Sequence, residues 1–154
     1  MTDWRIAEGG LDDARVIALV EHHVRSAGAA LPPGAGHAFE PERLKLPGVR
    51  FFTAWLGDSA AGVGALKGIS FSEGEVKSMF TADAARGQGI GAAILARVIE
   101  AAREAGLRRL SLETHPGNYF AAARALYGRY GFTECQPYAD YRLDPASIYM
   151  TREI

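Results

Sequence analysis

Arg86-Gly87-Gln88-Gly89-Ile90-Gly91-Ala92 places three alternating glycines directly before an apolar pattern that is typical of a helix. Glycine tolerates positive φ and has no side chain to obstruct a ligand that approaches the backbone. The first turn of a helix leaves N–H groups unpaired at the positive end of the helix dipole. The stretch therefore predicts a phosphate or pyrophosphate site, to which Arg86 adds a positive charge. A tight strand-to-helix turn without a ligand is the alternative.

Hydrophobic periodicity on both sides of the glycine run predicts alternating helices and strands. Helices are predicted where apolar residues recur every three or four positions, at residues 11–27, 90–105 and 119–130. Strands are predicted in runs rich in β-branched and aromatic residues, at residues 3–7, 49–56, 60–69, 75–81 and 110–114. Residues 132–154 are expected to add one or two strands, and residues 28–48 to form a loop with one short turn near 41–44.

The order of these elements predicts an α/β fold built on a mixed central sheet, in one domain that spans residues 1–154. Short turns join the three strands before the glycine run, which favours an antiparallel meander. A helix connects the strand at Val76 to the strand at Leu110, and such a crossover is expected to be parallel and right-handed. Helices should then cover both faces of the sheet.

Composition excludes several classes of protein. A net charge of −1 predicts neither a nucleic-acid partner nor attraction to an anionic membrane surface. No apolar run is long enough to span a bilayer. Cys135 is the only cysteine, so no internal disulfide or cysteine-built zinc site can form, and a cytoplasmic location is expected.

Two motifs resemble the signatures of the GNAT superfamily, the Gcn5-related N-acetyltransferases. The acetyl-CoA loop of that family has the pattern Arg/Gln-x-x-Gly-x-Gly/Ala, which Arg86, Gly89 and Gly91 match in order. The strand at residues 75–81 matches the position of the family's fourth strand. The second signature is matched by Ala123, Leu126, Tyr127, Gly131 and Phe132. The stretches 77–79 and 112–114 also resemble a subgroup of small uncharacterised bacterial acetyltransferases.

The resemblance implies a GNAT-like fold and acetyl-CoA as co-substrate. It implies transfer of the acetyl group to a primary amine of a small-molecule or amino-acid-like acceptor, by direct attack in a ternary complex. No metal is expected, because His22 and His23 are adjacent on a helix and point in different directions, with no His or carboxylate at ligand spacing. Homodimers are common in the family, so a homodimer is a further expectation. Two alternatives stay open. One is a non-catalytic acyl-CoA sensor, and the other is a dinucleotide-binding module, since Gly87, Gly89 and Ala92 fit Gly-x-Gly-x-x-Gly/Ala.

The resemblance also implies which residues contact the co-substrate. Backbone groups of the fourth strand would run beside the pantetheine arm, and the glycine run would wrap the pyrophosphate. Many family members carry Asn where this chain has Phe120, so nearby Asn118 is the candidate replacement. The full predicted set is Met79, Phe80, Thr81, Arg86, Gly87, Gln88, Gly89, Ile90, Gly91, Ala92, Asn118 and Tyr127.

Catalytic roles are assigned to two residues. Glu75 is the candidate general base, because some family members carry a catalytic glutamate at that spacing from the loop. An exposed strand-end glutamate is the alternative for Glu75, and Glu113 and then His115 are rival bases. Tyr127 is the candidate acid for the leaving thiolate, and a core tyrosine is its alternative.

Several other polar residues are expected to have no catalytic role. His37 is predicted to be a solvated loop residue, although contact with the acceptor is an alternative. Three tyrosines of the C-terminal segment are predicted to pack the last strands: Tyr138, Tyr141 and Tyr149. The alternative is that they line the pocket for the acceptor.

Overall fold

A computed structural model describes residues 3–154, so Met1 and Thr2 of the predicted domain lie outside the described residues. The helices are α1 (Ala14–Ala29), α2 (Pro41–Leu44), α3 (Ile90–Glu104) and α4 (Ala121–Arg129). The strands are β1 (Trp4–Glu8), β2 (Val49–Leu56), β3 (Ser59–Gly68), β4 (Glu73–Thr81), β5 (Arg109–Thr114), β6 (Thr133–Cys135) and β7 (Ile148–Glu153). All predicted helices and strands are present, and the C-terminal segment contributes two strands.

The strands form one sheet in the order β1-β2-β3-β4-β5-β7-β6. The pair β4–β5 is parallel, and the other neighbouring pairs in the described chain are antiparallel. The predicted meander and the predicted parallel crossover are therefore both confirmed. Helix α3 makes this crossover, and the glycine run leads into it from β4.

Separate apolar clusters cover the sheet. One contains the buried face of α3 and the other the buried face of α1. Helix α3 lies so close to β3 that a Cβ at Gly62 or Gly64 would approach the Ile94 side chain to 2.8 or 2.5 Å. The glycines of this strand therefore allow the helix to pack closely.

Strands β4 and β5 separate after a short paired stretch. Residues 73–75 pair with 109–111, whereas the strands continue to Thr81 and Thr114. On its other side β4 has one extra residue relative to β3, since Phe80 is opposite Val63 and Lys77 is opposite Ala65. Ser78 within this bulge has a φ of 58°. The divergence opens the sheet between the C-terminal ends of β4 and β5.

Among the element boundaries that differ from the sequence prediction, three have a clear local cause. Helix α1 begins at Ala14 because the Asp13 carboxylate accepts a hydrogen bond of 2.9 Å from the Arg15 N–H and caps the helix. Strand β4 begins at Glu73 because the Ser70 hydroxyl closes a tight turn with the Glu73 N–H. Residues 118–120 form a 3-10 turn, so α4 starts only at Ala121.

Candidate active site

The glycine run forms an open corner at the start of α3. Gly87 and Gly89 have φ values of 80° and 82°, in the left-handed region where side chains are disfavoured. Gly89 is the N-cap of α3 and provides no side-chain cap, so the first-turn N–H groups of the helix stay available. A Cβ at either glycine would meet no atom within 4 Å. These glycines are therefore required by backbone conformation, and the space beside them is open.

We call the depression beside this corner the outer groove. It runs from the glycine run past the end of β4 to helix α4. Its lining includes ten of the twelve predicted co-substrate residues: Met79, Phe80, Thr81, Arg86, Gly87, Gly89, Ile90, Gly91, Ala92 and Tyr127. Gln88 and Asn118 are not among the lining residues, and Asn118 is exposed in the 3-10 turn. The Arg86 guanidinium forms an exposed ion pair of 3.0 Å with Asp83.

A second cavity, the inner pocket, lies where β4 and β5 diverge. Its polar lining comes from α1, the following loop, both strands and the residue after β5: His23, His37, Glu75, Lys77, Ser78, Glu113, Thr114 and His115. The inner pocket and the outer groove share His23, Met79, Phe120, Ala123 and Tyr127. The two spaces therefore meet beside Tyr127. Its side chain is only 6% exposed, and burial raises the pKa of its phenol well above the ordinary value.

Glu75 is buried in the wall of the inner pocket rather than exposed at a strand end. It is 2% exposed, and its Oε2 accepts hydrogen bonds from the hydroxyls of Tyr138 at 2.6 Å and Tyr141 at 2.7 Å. Burial, with the adjacent Glu75 carboxylate, raises the pKa values of both phenols far above their usual range. Both tyrosines therefore remain hydrogen-bond donors. Oε1 of Glu75 accepts no hydrogen bond from residues 3–154.

Lys77 is a buried cation beside this carboxylate. Its Nζ donates to the His37 carbonyl at 2.7 Å and to the Tyr141 hydroxyl at 3.2 Å, and lies 3.9 Å from Oε2 of Glu75. The ammonium also lies 4.2 Å from the centre of the Phe39 ring. Burial lowers the pKa of Lys77, although the carboxylates of Glu75 and Glu113 act in the opposite direction. Lys77 therefore links the His37 backbone to the Tyr141 hydroxyl beside the inner pocket.

Glu113 and His37 form a pair on the other side of the inner pocket. Nδ1 of His37 lies 2.8 and 2.9 Å from the two carboxylate oxygens of Glu113. The Ser147 hydroxyl donates to the same carboxylate at 2.7 Å. The rival base Glu113 is therefore already engaged. Nδ1 of His115 donates a hydrogen bond of 2.6 Å to the Ala146 carbonyl.

Two buried polar atoms that line the inner pocket have no hydrogen-bond partner within residues 3–154: Nδ1 of His23 and Oγ of Ser78. Burial, with the neighbouring positive charges of His22 and Lys77, lowers the pKa of His23 to about 4. Its imidazole is therefore neutral at neutral pH. Both atoms can serve a bound molecule as polar partners.

Sequence reasoning missed the contribution of the loop between β6 and β7. Tyr138 and Tyr141 were expected to pack the last strands, and their rings do contact Tyr149 of β7, but their hydrogen bonds to Glu75 were not predicted. His37 is an exposed loop residue as expected, but its pairing with Glu113 was not predicted. These contacts span 63 to 76 residues along the chain, and no local pattern signals them. The surplus of tyrosines in the C-terminal segment is the one available hint.

Two other kinds of site are absent from the described part of the chain. Residues 3–154 contain no cluster of three or more His, Cys, Asp or Glu side chains arranged to hold a metal ion. None of the helices within this range has the length and apolar character needed to cross a membrane.

Comparison with known proteins identifies one family. A model described as the acetyltransferase (GNAT) family matches residues 16–132. The chain is 41% identical to the uncharacterized N-acetyltransferase YsnE of Bacillus subtilis over 144 residues, which cover 94% of this chain and 95% of YsnE. It is 37% identical to a protein of Azospirillum brasilense named IAA acetyltransferase over 148 residues, which cover 96% and 95% of the two chains.

Solved structures share the fold. A Klebsiella pneumoniae structure superposes with a TM-score of 0.80 at 27% identity and covers 97% of each chain. A GNAT family acetyltransferase from Elizabethkingia anophelis, solved with acetyl-CoA bound, superposes with a TM-score of 0.71 at 18% identity and covers 98% of each chain.

Proposed function

This chain belongs to the GNAT family of acetyltransferases and is an acyltransferase, and from its site we propose that it transfers the acetyl group of acetyl-CoA to a primary amine of a small molecule. The observation that carries the proposal is the junction of two spaces at Tyr127. One offers free helix N–H groups, and the other contains the buried carboxylate of Glu75.

The outer groove has the features needed to hold coenzyme A. N–H groups of the first turn of α3 would bind the pyrophosphate, where the helix dipole favours negative charge. Ser78 and Met79 have no partner residue in β3, and this part of β4 is also unpaired with β5. Backbone groups of Met79, Phe80 and Thr81 are therefore proposed to bind the pantetheine arm as an added strand would.

The inner pocket suits a cationic acceptor. Its lining contains the carboxylates of Glu75 and Glu113 and one cation, Lys77, whose ammonium already donates to protein oxygens. Because two carboxylates face one ammonium, the pocket carries a net negative charge that attracts the ammonium of the acceptor. The similarity to the protein named IAA acetyltransferase supports a small molecule, rather than a protein, as the acceptor.

The proposed reaction is direct attack in a ternary complex. The acceptor ammonium loses a proton, and its nitrogen lone pair attacks the thioester carbonyl. A backbone N–H near Met79 or Phe80 is proposed to stabilise the oxyanion that forms. The tetrahedral intermediate collapses as the carbon–sulfur bond breaks, with Glu75 accepting a proton from the nitrogen and Tyr127 donating one to the thiolate. Return of a proton from Glu75 to the Tyr127 phenolate then restores both groups. The products are the N-acetyl amine and coenzyme A.

The alternatives left open by the sequence make different predictions. Family membership accounts for the glycine run without a dinucleotide. Titration calorimetry is expected to show binding of acetyl-CoA and none of NAD. A non-catalytic sensor would bind acetyl-CoA but release no thiol with any amine. We therefore propose thiol-release assays across aliphatic amines, amino acids, amino sugars and aromatic amines. Release above the hydrolytic background supports an enzyme, and the most active class identifies the acceptor.

A further inference from the structure

The pair formed by His37 and Glu113 has the geometry of an oriented proton acceptor. A carboxylate can only accept hydrogen bonds, so Nδ1 of His37 donates to Glu113 at 2.8–2.9 Å. In the neutral imidazole that contact fixes the tautomer, with the proton on Nδ1 and a lone pair on Nε2. The Glu113 side chain is 5% exposed and is itself held by the Ser147 hydroxyl. A buried carboxylate thus orients an imidazole that lines the inner pocket.

The proton balance of the acetyl transfer requires a group that passes one proton from the acceptor to water. The acceptor nitrogen enters as an ammonium and leaves as an amide, so it loses two protons. One is balanced by the proton that the thiolate gains, and the other must reach water. Glu75 is 2% exposed and is poorly placed to exchange protons with solvent, whereas the His37 side chain is 46% exposed.

We propose that His37, oriented by Glu113, removes the first proton from the acceptor ammonium and releases it to water, while Glu75 receives the second proton after attack. In this step the N–H bond of the ammonium breaks and its proton bonds to Nε2 of His37. The resulting imidazolium is balanced by the Glu113 carboxylate, and loss of the proton to solvent regenerates the neutral ring. His37 is then a catalytic residue and Glu113 a positioning residue. The assignment rests on the proposed function.

The charges around His37 favour this role. Glu113 on β5 contacts the ring directly. Tyr141 from the loop after β6 packs edge-on with ring centres 4.8 Å apart, and its phenol keeps its proton because burial and Glu75 raise its pKa. Lys77 on β4 donates to the backbone carbonyl of His37 rather than to its ring. Among these groups, the Glu113 carboxylate is therefore the charged group in contact with the His37 ring.

The test compares His37→Gln and Glu113→Gln with the wild type and a control, His22→Gln. His22 lies on α1, is exposed and lines neither space. With an amine that the wild type acetylates, kcat/KM of His37→Gln near pH 7 is expected to fall by about 100-fold. The loss of kcat/KM relative to the wild type should become smaller as pH rises toward the pKa of the free amine, because the substrate then arrives deprotonated. Added imidazole should restore part of the rate.

Two further measurements separate chemistry from structure. Acetyl-CoA affinity of His37→Gln is expected to match that of the wild type, because His37 does not line the outer groove. Glu113→Gln should lower kcat/KM by about tenfold and alter the acid limb of the pH profile, since the imidazole loses its charged partner. His37→Gln with wild-type kcat/KM and an unchanged pH profile would overturn the proposal while leaving the acetyltransferase function intact. A wild-type protein inactive toward every amine overturns both proposals.

Discussion

The hydroxyl of Tyr138 donates a 2.6 Å hydrogen bond to Oε2 of Glu75 and so joins the loop after β6 to the central strand β4. Tyr141 reaches the same oxygen from the same loop. A buried carboxylate is costly unless hydrogen bonds compensate for the water that it loses. The C-terminal loop therefore stabilises the charge around which the inner pocket is built, and the proposed base depends on residues more than 60 positions away.

Tyr138→Phe removes one of these donors and keeps the ring. We expect the free energy of unfolding to fall by about 1–3 kcal/mol and amine turnover to fall several-fold, with acetyl-CoA affinity unchanged. The matched control is Tyr149→Phe, whose hydroxyl donates to the Arg142 carbonyl at 2.9 Å instead of to Glu75. Equal losses of turnover in the two variants would show that the Tyr138 contact has only a structural role. Chemical denaturation and steady-state kinetics provide both measurements.

Glu75→Gln tests the base directly. The amide oxygen can still accept from the two phenols, but the side chain can no longer take a proton. We expect kcat/KM for the amine to fall by about 100-fold or more. Glu73→Gln is the control, because Glu73 is two positions earlier on the same strand and lines neither space. Wild-type activity in Glu75→Gln, measured by thiol release, would remove Glu75 from the mechanism.

Gly89→Val tests the co-substrate site. Gly89 and Gly106 both have positive φ, 82° and 77°, and a Cβ at either position would meet no atom within 4 Å. Valine should therefore strain both positions similarly, by about 1–2 kcal/mol or more. Gly89 lines the outer groove, whereas Gly106 follows the far end of α3. We expect calorimetry to show acetyl-CoA binding at least tenfold weaker in Gly89→Val than in the wild type, and unchanged binding in Gly106→Val. Equal affinities of the two folded variants for acetyl-CoA would refute the assignment of the pyrophosphate site.

The sequence predicted the elements better than it predicted the site. The helices and strands were predictable because their apolar periodicity is local, and the glycine run marked the start of α3. The contacts of Glu75 and Glu113 were not, because they depend on how a C-terminal loop folds back over the sheet. The divergence of β4 from β5 brings these residues together, and the bulge at Ser78 carries no sequence signal.

Tyr127→Phe tests the proposed acid. Burial raises the pKa of Tyr127, so the phenol remains protonated throughout the neutral range. We expect kcat to fall by about tenfold or more, while acetyl-CoA affinity changes little. Tyr130→Phe is the control, since Tyr130 closes the same helix and lines neither space. Full activity of Tyr127→Phe with a good acceptor would exclude the acid role.

His23 is expected to make the fold sensitive to mild acid. Burial lowers its pKa from 6.5 to about 4, whereas the unfolded chain has the ordinary value. Between these pH values the unfolded state binds a proton that the native state does not, so stability falls as pH decreases from 6.5 toward 4. Titration of His23 alone should lower the free energy of unfolding by about 3 kcal/mol over this pH range.

The measurement is the free energy of unfolding of His23→Gln and the wild type at several pH values between 4 and 7. We expect the variant to lose about 3 kcal/mol less than the wild type across that range, since glutamine does not titrate. His22→Gln, one residue earlier on α1 and exposed, removes one of the positive charges that lower the pKa of His23 and should show a slightly weaker dependence on pH than the wild type. If His23→Gln and the wild type show the same dependence on pH, then the native imidazole takes up its proton as freely as the unfolded chain does. The neutral His23 assigned to the junction of groove and pocket would then be wrong.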